Sequence, residues 1–375
     1  MIIEDIKKDK KTINSKSLYL KSDNVFTVKI NKKIEIIIVP KPNKLNEHQK
    51  NVAIKLDEKL ILKILSRRYM YVLITEINTE KDLKNMSLRK PDLVFSGVKY
   101  FDFNNKIIWL NDYLDLIGIP YIASNRAALD NESNKILAKN IIKKSHIKTA
   151  DFFIAEPGKY LDNHSIPICF PLFIKPVTGG DSIGIDSKSI VHDFEAFKQK
   201  VLDIKLNQNS SALVETYLSG KEYSVGIFED SNNHTLKAMP IEISVKANND
   251  GYHILDFDVK KNDTEIVLPV KDSKIFNELS KLAKNAFKAL GGKSLGRIDI
   301  KMNHLGEPHF IEANLMPGLQ KGYFYRSCAL NLDMNYDDMI YSITNTGLSS
   351  HWFNIIYMRE YNYHLSLFLS YKISQ

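Results

Sequence analysis

The 375-residue chain is expected to fold as an α/β and α+β protein, a parallel α/β domain followed by two α+β units. Three features predict this. Strand-like and helix-like runs alternate between Ile34 and Ala123, the order that builds a parallel sheet with crossover helices. A glycine-containing loop, Pro176 to Ile185, follows a strand ending in Lys175. A hairpin between Gly296 and Gly318 gathers acidic and amide side chains where a sheet ordinarily avoids them. With 44% hydrophobic and 26% charged residues, the chain has material for two or three packed domains.

Residues 1–33 form an extension, Lys-rich over residues 1–16 and β-prone from Leu18 to Ile30. The domain at 34–123 opens on the apolar strand Ile34 to Val39. It continues with a helix around Val52 to Leu65, strands at Tyr71 to Thr75 and Leu93 to Ser96, a helix around Ile107 to Ile117 and a short strand at Tyr121 to Ala123. In the unit at 124–211, Asp130 caps a helix running to about Lys144. An extended Phe152 to Ala155, the strand Pro171 to Lys175, the glycine loop and a helix near Asp193 to Ile204 follow. The unit at 212–348 starts with a strand, Ala212 to Tyr217. Its best helix is Asp272 to Leu290, where Phe276, Leu279, Leu282, Ala283, Ala286 and Phe287 recur at helical spacing and Gly291 supplies the stop. Residues 349–375 are a Tyr-rich extension.

The net charge of +8 would suit nucleic acid if the lysines were gathered, but they are spread along the whole chain, so no nucleic-acid partner is expected. A basic surface favours smaller anions such as nucleotides. Cys169 and Cys328 are the only cysteines and form no CxxC pattern, which argues against a disulfide framework or zinc site and fits a reducing compartment. The opening thirty residues lack a continuous apolar stretch, and charged and polar residues interrupt the tail after Trp352. A cytoplasmic protein with no membrane partner is expected.

If Asn303 to Pro308 form the hairpin loop, Asp299 lies opposite Glu312, with Arg297 and Asn314 on the same face. Two carboxylates about 5 Å apart destabilise a ladder unless a cation intervenes. Asp299, Glu312 and Asn314 offer hard oxygen ligands of the kind that hold Mg2+ jointly with substrate phosphates, and Arg297 is placed to meet developing negative charge. Ile298, Ile300, Ile311 and Ala313 would occupy the other, buried face.

In the glycine loop, Gly179, Gly180 and Gly184 permit close backbone approach to phosphate oxygens, and Ser182 adds a neutral donor. It is not a P-loop, because Gly184 is followed by Ile185 and Asp186, and no GxGxxG occurs. Further on, Glu215 and Glu222 flank a turn at Gly220. Glu215 could accept from an exocyclic amine and Glu222 from ribose hydroxyls.

These blocks, in this order, resemble the ATP-grasp superfamily and within it the D-alanine–D-alanine ligase-like branch, over roughly Ile34 to Leu348. The resemblance implies an ATP-grasp fold with an N-terminal parallel α/β (pre-ATP-grasp) domain and ATP between two α+β subdomains. It also implies an ATP- and Mg2+-dependent ligase that joins an amino acid or short peptide to an amine through an acyl phosphate. By matching position, Lys175 and Lys260 would contact phosphates together with the loop residues Gly180, Ser182 and Gly184. Glu215 would take the adenine amino group, Thr216 and Leu218 the adenine through their backbones, and Glu222 the ribose. Asp299, Glu312 and Asn314 would hold Mg2+ in the second subdomain, and Arg297, Lys260 and Ser182 would be catalytic.

The chain departs from the family pattern in several places. Asn131 follows Asp130 where the family has Lys, and Lys135, one turn on, could substitute. The family's Glu-His-Glu-Val-Ser signature is reduced to Glu47-His48-Gln49, and its His-Gly loop is replaced by Val98 to Phe103. Beyond Gly318, Tyr323 stands near the family's acceptor-binding Ser, with Tyr325 and Arg326 close behind. Glu47, Arg297, Gly318, Tyr323 and Arg326 are the expected substrate-binding residues. Arg326 or Lys321 would receive a carboxylate while the tyrosines wall the pocket. The substrates are expected to differ from those of D-alanine–D-alanine ligases, and a homodimer is left open. A nucleotide-binding pseudo-ligase serving as regulator or scaffold is the alternative.

Overall fold

A computed structural model describes residues 28–40, 53–54, 56–178, 182–248 and 251–349. At the N-terminus, β1 (Ile30–Ile38), α1 (Glu58–Arg68), β2 (Tyr69–Glu76), α2 (Glu80–Leu88) and β3 (Leu93–Ser96) build a parallel sheet of order β2-β1-β3. Ile34, Ile36 and Ile37 of β1 are all buried, as expected of a strand covered on both faces. Buried Glu35 accepts from Thr75 and ion-pairs with Arg89. The hairpin β4 (Tyr100–Phe103) and β5 (Lys106–Trp109) precedes α3 (Leu110–Ile117), which closes on Gly118 at φ 68°.

Three expectations for this domain are corrected. The helix around Ile107 begins only at Leu110, because residues 106–109 pair with β4. The helix expected over Val52 to Leu65 starts at Glu58, where the Asp57 side chain accepts from the Leu60 N–H. Tyr121 to Ala123 contributes a single parallel bridge, Val94 to Tyr121. The sequence reading also missed α2, which buries only Leu83 and Met86 and is fixed by a capping box between Thr79 and Asp82.

The helix expected from Asp130 to Lys144 is two helices, α4 (Arg126–Ser133) and α5 (Lys135–Lys144). Asn134 breaks them: its extended backbone and side chain cap α5 by accepting from the Ile136 and Leu137 N–H groups. Next come β6 (Phe152–Ala155), β7 (Leu172–Pro176), β8 (Ile190–Val191), α6 (Phe194–Gln208) and β9 (Ala212–Thr216). The strands form an antiparallel sheet of order β6-β9-β7-β8, packed on Phe197, Val201 and Ile204 of α6. By its pairing β9 belongs to this sheet rather than to the one that follows.

The last sheet, antiparallel in the order β12-β11-β10-β13-β14, is built from β10 (Glu222–Glu229), β11 (Leu236–Ser244), β12 (Ile266–Pro269), β13 (Leu295–Met302) and β14 (Pro308–Asn314). The short α7 (Phe257–Asn262) precedes β12, α8 (Ser273–Ala289) precedes β13, and α9 (Tyr323–Leu332) follows β14. The two long helices take opposite faces. A Cβ on Gly296 would lie 2.6 Å from the Phe287 ring of α8, whereas one on Gly226 would lie 2.9 Å from Cβ of Ser327 on α9. Gly226 pairs with Arg297, so α9 crosses the face that carries Arg297 and Asp299.

Candidate functional site

The β13–β14 register pairs Arg297 with Asn314 and Asp299 with Glu312, as the alternation predicts. Arg297 meets the expected clash of carboxylates: its Nε and Nη2 donate to the two oxygens of Asp299, each at 2.9 Å. Ser224 on β10 adds a third donor to Asp299 at 2.7 Å. Burial pushes the Asp299 carboxyl up, but the charge and hydrogen bonds of Arg297, joined by Lys260 and Ser224, together hold the group below its ordinary value. One expectation fails here. The ladder shifts register between Asp299 and Ile300, so Phe310 takes the buried place opposite Ile300 and Ile311 faces the cavity beside Glu312.

That cavity, of about 110 Å³, lies between the four-stranded and five-stranded sheets. Its floor is an ionic sandwich. Lys139 and Lys175 hold the two oxygens of buried Glu215 at 2.5 and 2.7 Å. Burial raises the Glu215 carboxyl, yet the Lys139 and Lys175 ammoniums more than offset this and bring it down to about 2. Burial draws the Lys139 ammonium below its ordinary value, whereas for Lys175 the burial effect is overcome by Glu215 and Glu312. Lys139 also donates to Thr149, whose hydroxyl donates to the Phe310 carbonyl and ties α5 to β14. At the opposite wall, Glu222 ion-pairs with Lys301 at 2.9 Å.

Lys135, at the first position of α5, lines the cavity, and burial lowers its ammonium. Asn131 does not reach it, because its amide donates to the Leu290 carbonyl. The lysine at a helix start that lines the cavity is thus Lys135, after Asn134, and the Asp130-Asn131 pair lies away from it. Ser182, Thr216, Leu218 and Lys260 also line the cavity. The Ser182 hydroxyl donates to the Leu255 carbonyl, which occupies it in this conformation. Gly184, at φ 80°, leaves 2.6 Å between a would-be Cβ and the Pro176 ring, so the loop folds back tightly on β7. Gly180 and Glu47 lie outside the described residues.

Asp299, Glu312 and Asn314 supply two carboxylates and an amide on one ribbon face. Among the described residues no three His, Cys, Asp or Glu side chains gather as a metal cluster. The Asn314 Nδ2 is buried without a partner, and the amide would offer a cation its Oδ1 rather than this nitrogen. Such a set fits Mg2+ when phosphate oxygens complete its shell. Leu315, next to Asn314, donates its N–H to buried Glu132, which also binds Lys99 at 3.2 Å. Burial raises the Glu132 carboxyl despite these partners.

Past the hairpin, the Arg297 guanidinium lies 5.5 Å from the Tyr323 ring centre. The Tyr323 hydroxyl donates to Glu265 at 2.7 Å, and Arg326 is held by Asp263 at 2.7 and 2.9 Å. The expectation that both tyrosines wall a pocket is corrected. Tyr325 points to the other side of α9 and packs edge-on against Tyr336, with 5.7 Å between ring centres. Lys321 is exposed, and a Cβ on Gly318 would meet no atom within 4 Å. Sequence reasoning missed Lys139, Lys301, Ile311 and Glu132. Lys139 was within reach, since it stands four residues after Lys135 on one helix face.

The family model described as D-ala D-ala ligase C-terminus matches residues 141–345. The D-alanine–D-alanine ligase of Hydrogenovibrio crunogenus is 26% identical over 241 residues, covering 63% of this chain and 72% of the relative. That of Streptococcus pyogenes serotype M49 is 25% identical over 243 residues, covering 62% of this chain and 65% of the relative, just under two thirds of its length. Among solved structures, the Bacillus anthracis D-alanine–D-alanine ligase complexed with ATP superposes with a TM-score of 0.60 at 19% identity, covering 86% of this chain and 99% of that one. The VanG D-Ala:D-Ser ligase of Enterococcus faecalis superposes with a TM-score of 0.59 at 17% identity, covering 85% and 100%. These likenesses carry the ATP-grasp fold. The family match spans more than half of the chain and contains Lys175 and Glu215 of the ionic sandwich, the β13–β14 ribbon and α9, and on that ground the protein belongs to the D-Ala–D-Ala ligase C-terminus family.

Proposed function

We propose that the protein is an ATP-dependent carboxylate–amine ligase that joins an amino acid or short peptide to an amine. The observation that carries this reading is one cavity in which Lys135, Lys175 and Lys260 face the ribbon bearing Asp299 and Glu312. Three cations opposite two carboxylates suit a polyphosphate bridged to the protein by a divalent ion, and the names of the relatives point to the same chemistry. A substrate carboxylate oxygen attacks the γ-phosphorus of ATP and the bond to the β-phosphate oxygen breaks, giving acyl phosphate and ADP. An amine nitrogen then bonds to the acyl carbon as phosphate departs with the C–O electron pair, and the nitrogen's surplus proton passes to phosphate or solvent.

The protein's share is positioning and electrostatics. Lys175 and Lys260 hold phosphate oxygens, with Ser182, Gly180 and Gly184 at the loop. Glu215 accepts from the adenine amine on lone pairs that its lysines leave open, Thr216 and Leu218 offer backbone groups, and Glu222 receives the ribose. Arg297 faces the charge that develops at the acyl carbon. Asp299, Glu312 and Asn314 would hold Mg2+, which when bound neutralises phosphate charge. The pseudo-ligase alternative rested on Asn131 and on the eroded substrate motifs, and the place of Lys135 in the cavity weighs against the first of these. Phosphate release from ATP and Mg2+, measured over L- and D-amino acids and short peptides with amine acceptors, tests the proposal. Release that requires both organic substrates is expected; nucleotide binding without release across the panel would overturn it.

A further inference from the structure

Tyr323, stacked near Arg297, bonds a carboxylate that the chemistry above does not use. Glu265 is only 9% exposed, and its Oε2 is buried with no hydrogen-bond partner. Its Oε1 accepts one bond, from the neutral Tyr323 hydroxyl. The nearest cation, Arg326, is 3.8 Å from Oε1, too far for a hydrogen bond, and spends its Nη2 on Asp263. An ionised carboxylate offers about four acceptor sites, and a buried one is costly to leave this open. Contacts run from Glu265 through Tyr323 to Arg297 and Asp299, and connect this carboxylate to the proposed acyl-transfer centre.

Resting on the ligase reading, we infer that Glu265 is a specificity residue for the amine substrate and receives a second cationic group on it, an ammonium or guanidinium. Asp263 is neutralised by Arg326, whereas Glu265 has no hydrogen-bonded cation, so of the two organic substrates the carboxylate-bearing one is disfavoured beside Glu265 and the amine belongs on this side. The same repulsion disfavours an α-amino-acid acceptor whose carboxylate would lie beside Glu265. Glu265 pairs with one nitrogen of a diamine-like acceptor, and the other, deprotonated nitrogen attacks the acyl carbon. Tyr323 and Arg326, the two groups that reach Glu265, are both partly exposed, and the acceptor would enter past them.

Three probes of matched length test this: 1,4-diaminobutane, 1-aminobutane and 4-aminobutanoate, titrated calorimetrically into the full chain with Mg2+ and a non-hydrolysable ATP analogue. The diamine is expected to bind at least about tenfold more tightly than the monoamine, and the aminobutanoate most weakly. Glu265→Gln should erase the diamine preference while leaving nucleotide affinity unchanged, whereas Tyr323→Phe should retain it. Equal or tighter binding of the aminobutanoate to the wild-type chain overturns the inference without recourse to any variant, as does a diamine preference that survives in Glu265→Gln. Hydroxylamine trapping of the acyl phosphate runs in parallel. Hydroxamate formation without a diamine preference defeats the Glu265 assignment alone. A diamine preference without hydroxamate from any carboxylate defeats the ligase reading and leaves Glu265 as a cation site.

Discussion

Asp299→Asn removes one charge from a pair that the fold keeps largely dry, with side-chain exposures of 16% for Arg297 and 13% for Asp299. The amide is nearly isosteric and can still accept from Ser224, so what is lost is the counter-charge of the guanidinium. Removing one partner of a buried pair costs about 3–5 kcal/mol, because the survivor stays desolvated. Here the residual exposure gives some relief, and a loss of about 2–3 kcal/mol is expected from urea unfolding. Arg297→Met added to Asp299→Asn should recover about half of that loss, since no orphaned charge then remains. Turnover should fall about a thousandfold, the scale of removing one preorganised electrostatic group. Urea midpoints, the two-residue cycle and phosphate release check these together. A single variant within about 0.5 kcal/mol of wild type would refute the pairing. One that turns over within about threefold of wild type would refute the catalytic placement.

Lys139→Met leaves Glu215 with Lys175 alone. Glu215 keeps Lys175 but loses the first of its two stabilising charges, while the removed ammonium no longer has to be buried, so a net loss of about 1–3 kcal/mol is expected from urea unfolding. Lys175, now the sole partner of Glu215, is less available to phosphate, and KM for ATP should rise about tenfold in steady-state kinetics. Glu132→Ala removes the carboxylate that fixes the Leu315 N–H beside Asn314, and a fall of about tenfold or more in Mg2+ affinity is expected in a metal titration of the nucleotide complex. Glu215 has a folded-state value of about 2 against an ordinary 4.5, so its stabilisation is complete above 4.5 and is lost as pH falls toward 2. At about 1.4 kcal/mol per unit, the difference in unfolding free energy between wild type and Glu215→Gln should narrow by at most about 3–4 kcal/mol across that window. A difference that stays constant with pH would contradict the ionised sandwich.

The residues that carry the site were legible where a short-range rule fixed them. Period-two alternation and a turn at Asn303 to Pro308 set Asp299 opposite Glu312, and the structure keeps that register. The same rule failed one residue earlier on β14, at Ile311, because the bulge is imposed from outside the hairpin. Phe310 donates its N–H to Lys148 and accepts from Thr149, so it is pinned on its outer edge and Ile311 is turned into the cavity. Nothing between Gly296 and Gly318 encodes that contact. The break at Asn134 was hidden for a different reason: Asp130 and Asn134 are equally good caps, and only the packing of α5 over Glu215 decides between them. The Lys139–Glu215–Lys175 sandwich joins two local relations, since Lys175 and Glu215 are diagonal neighbours across β7 and β9 while Lys139 arrives from α5. Each lysine alone reads as a solvated surface charge. What converts them into a binding floor is the crossing of a helix over a sheet, a long-range event whose only trace in the sequence is the spacing of Lys135 and Lys139. The chemistry of this site is thus written in local patterns, while the order in which its charges are buried, and so their ionisation, is set by tertiary packing.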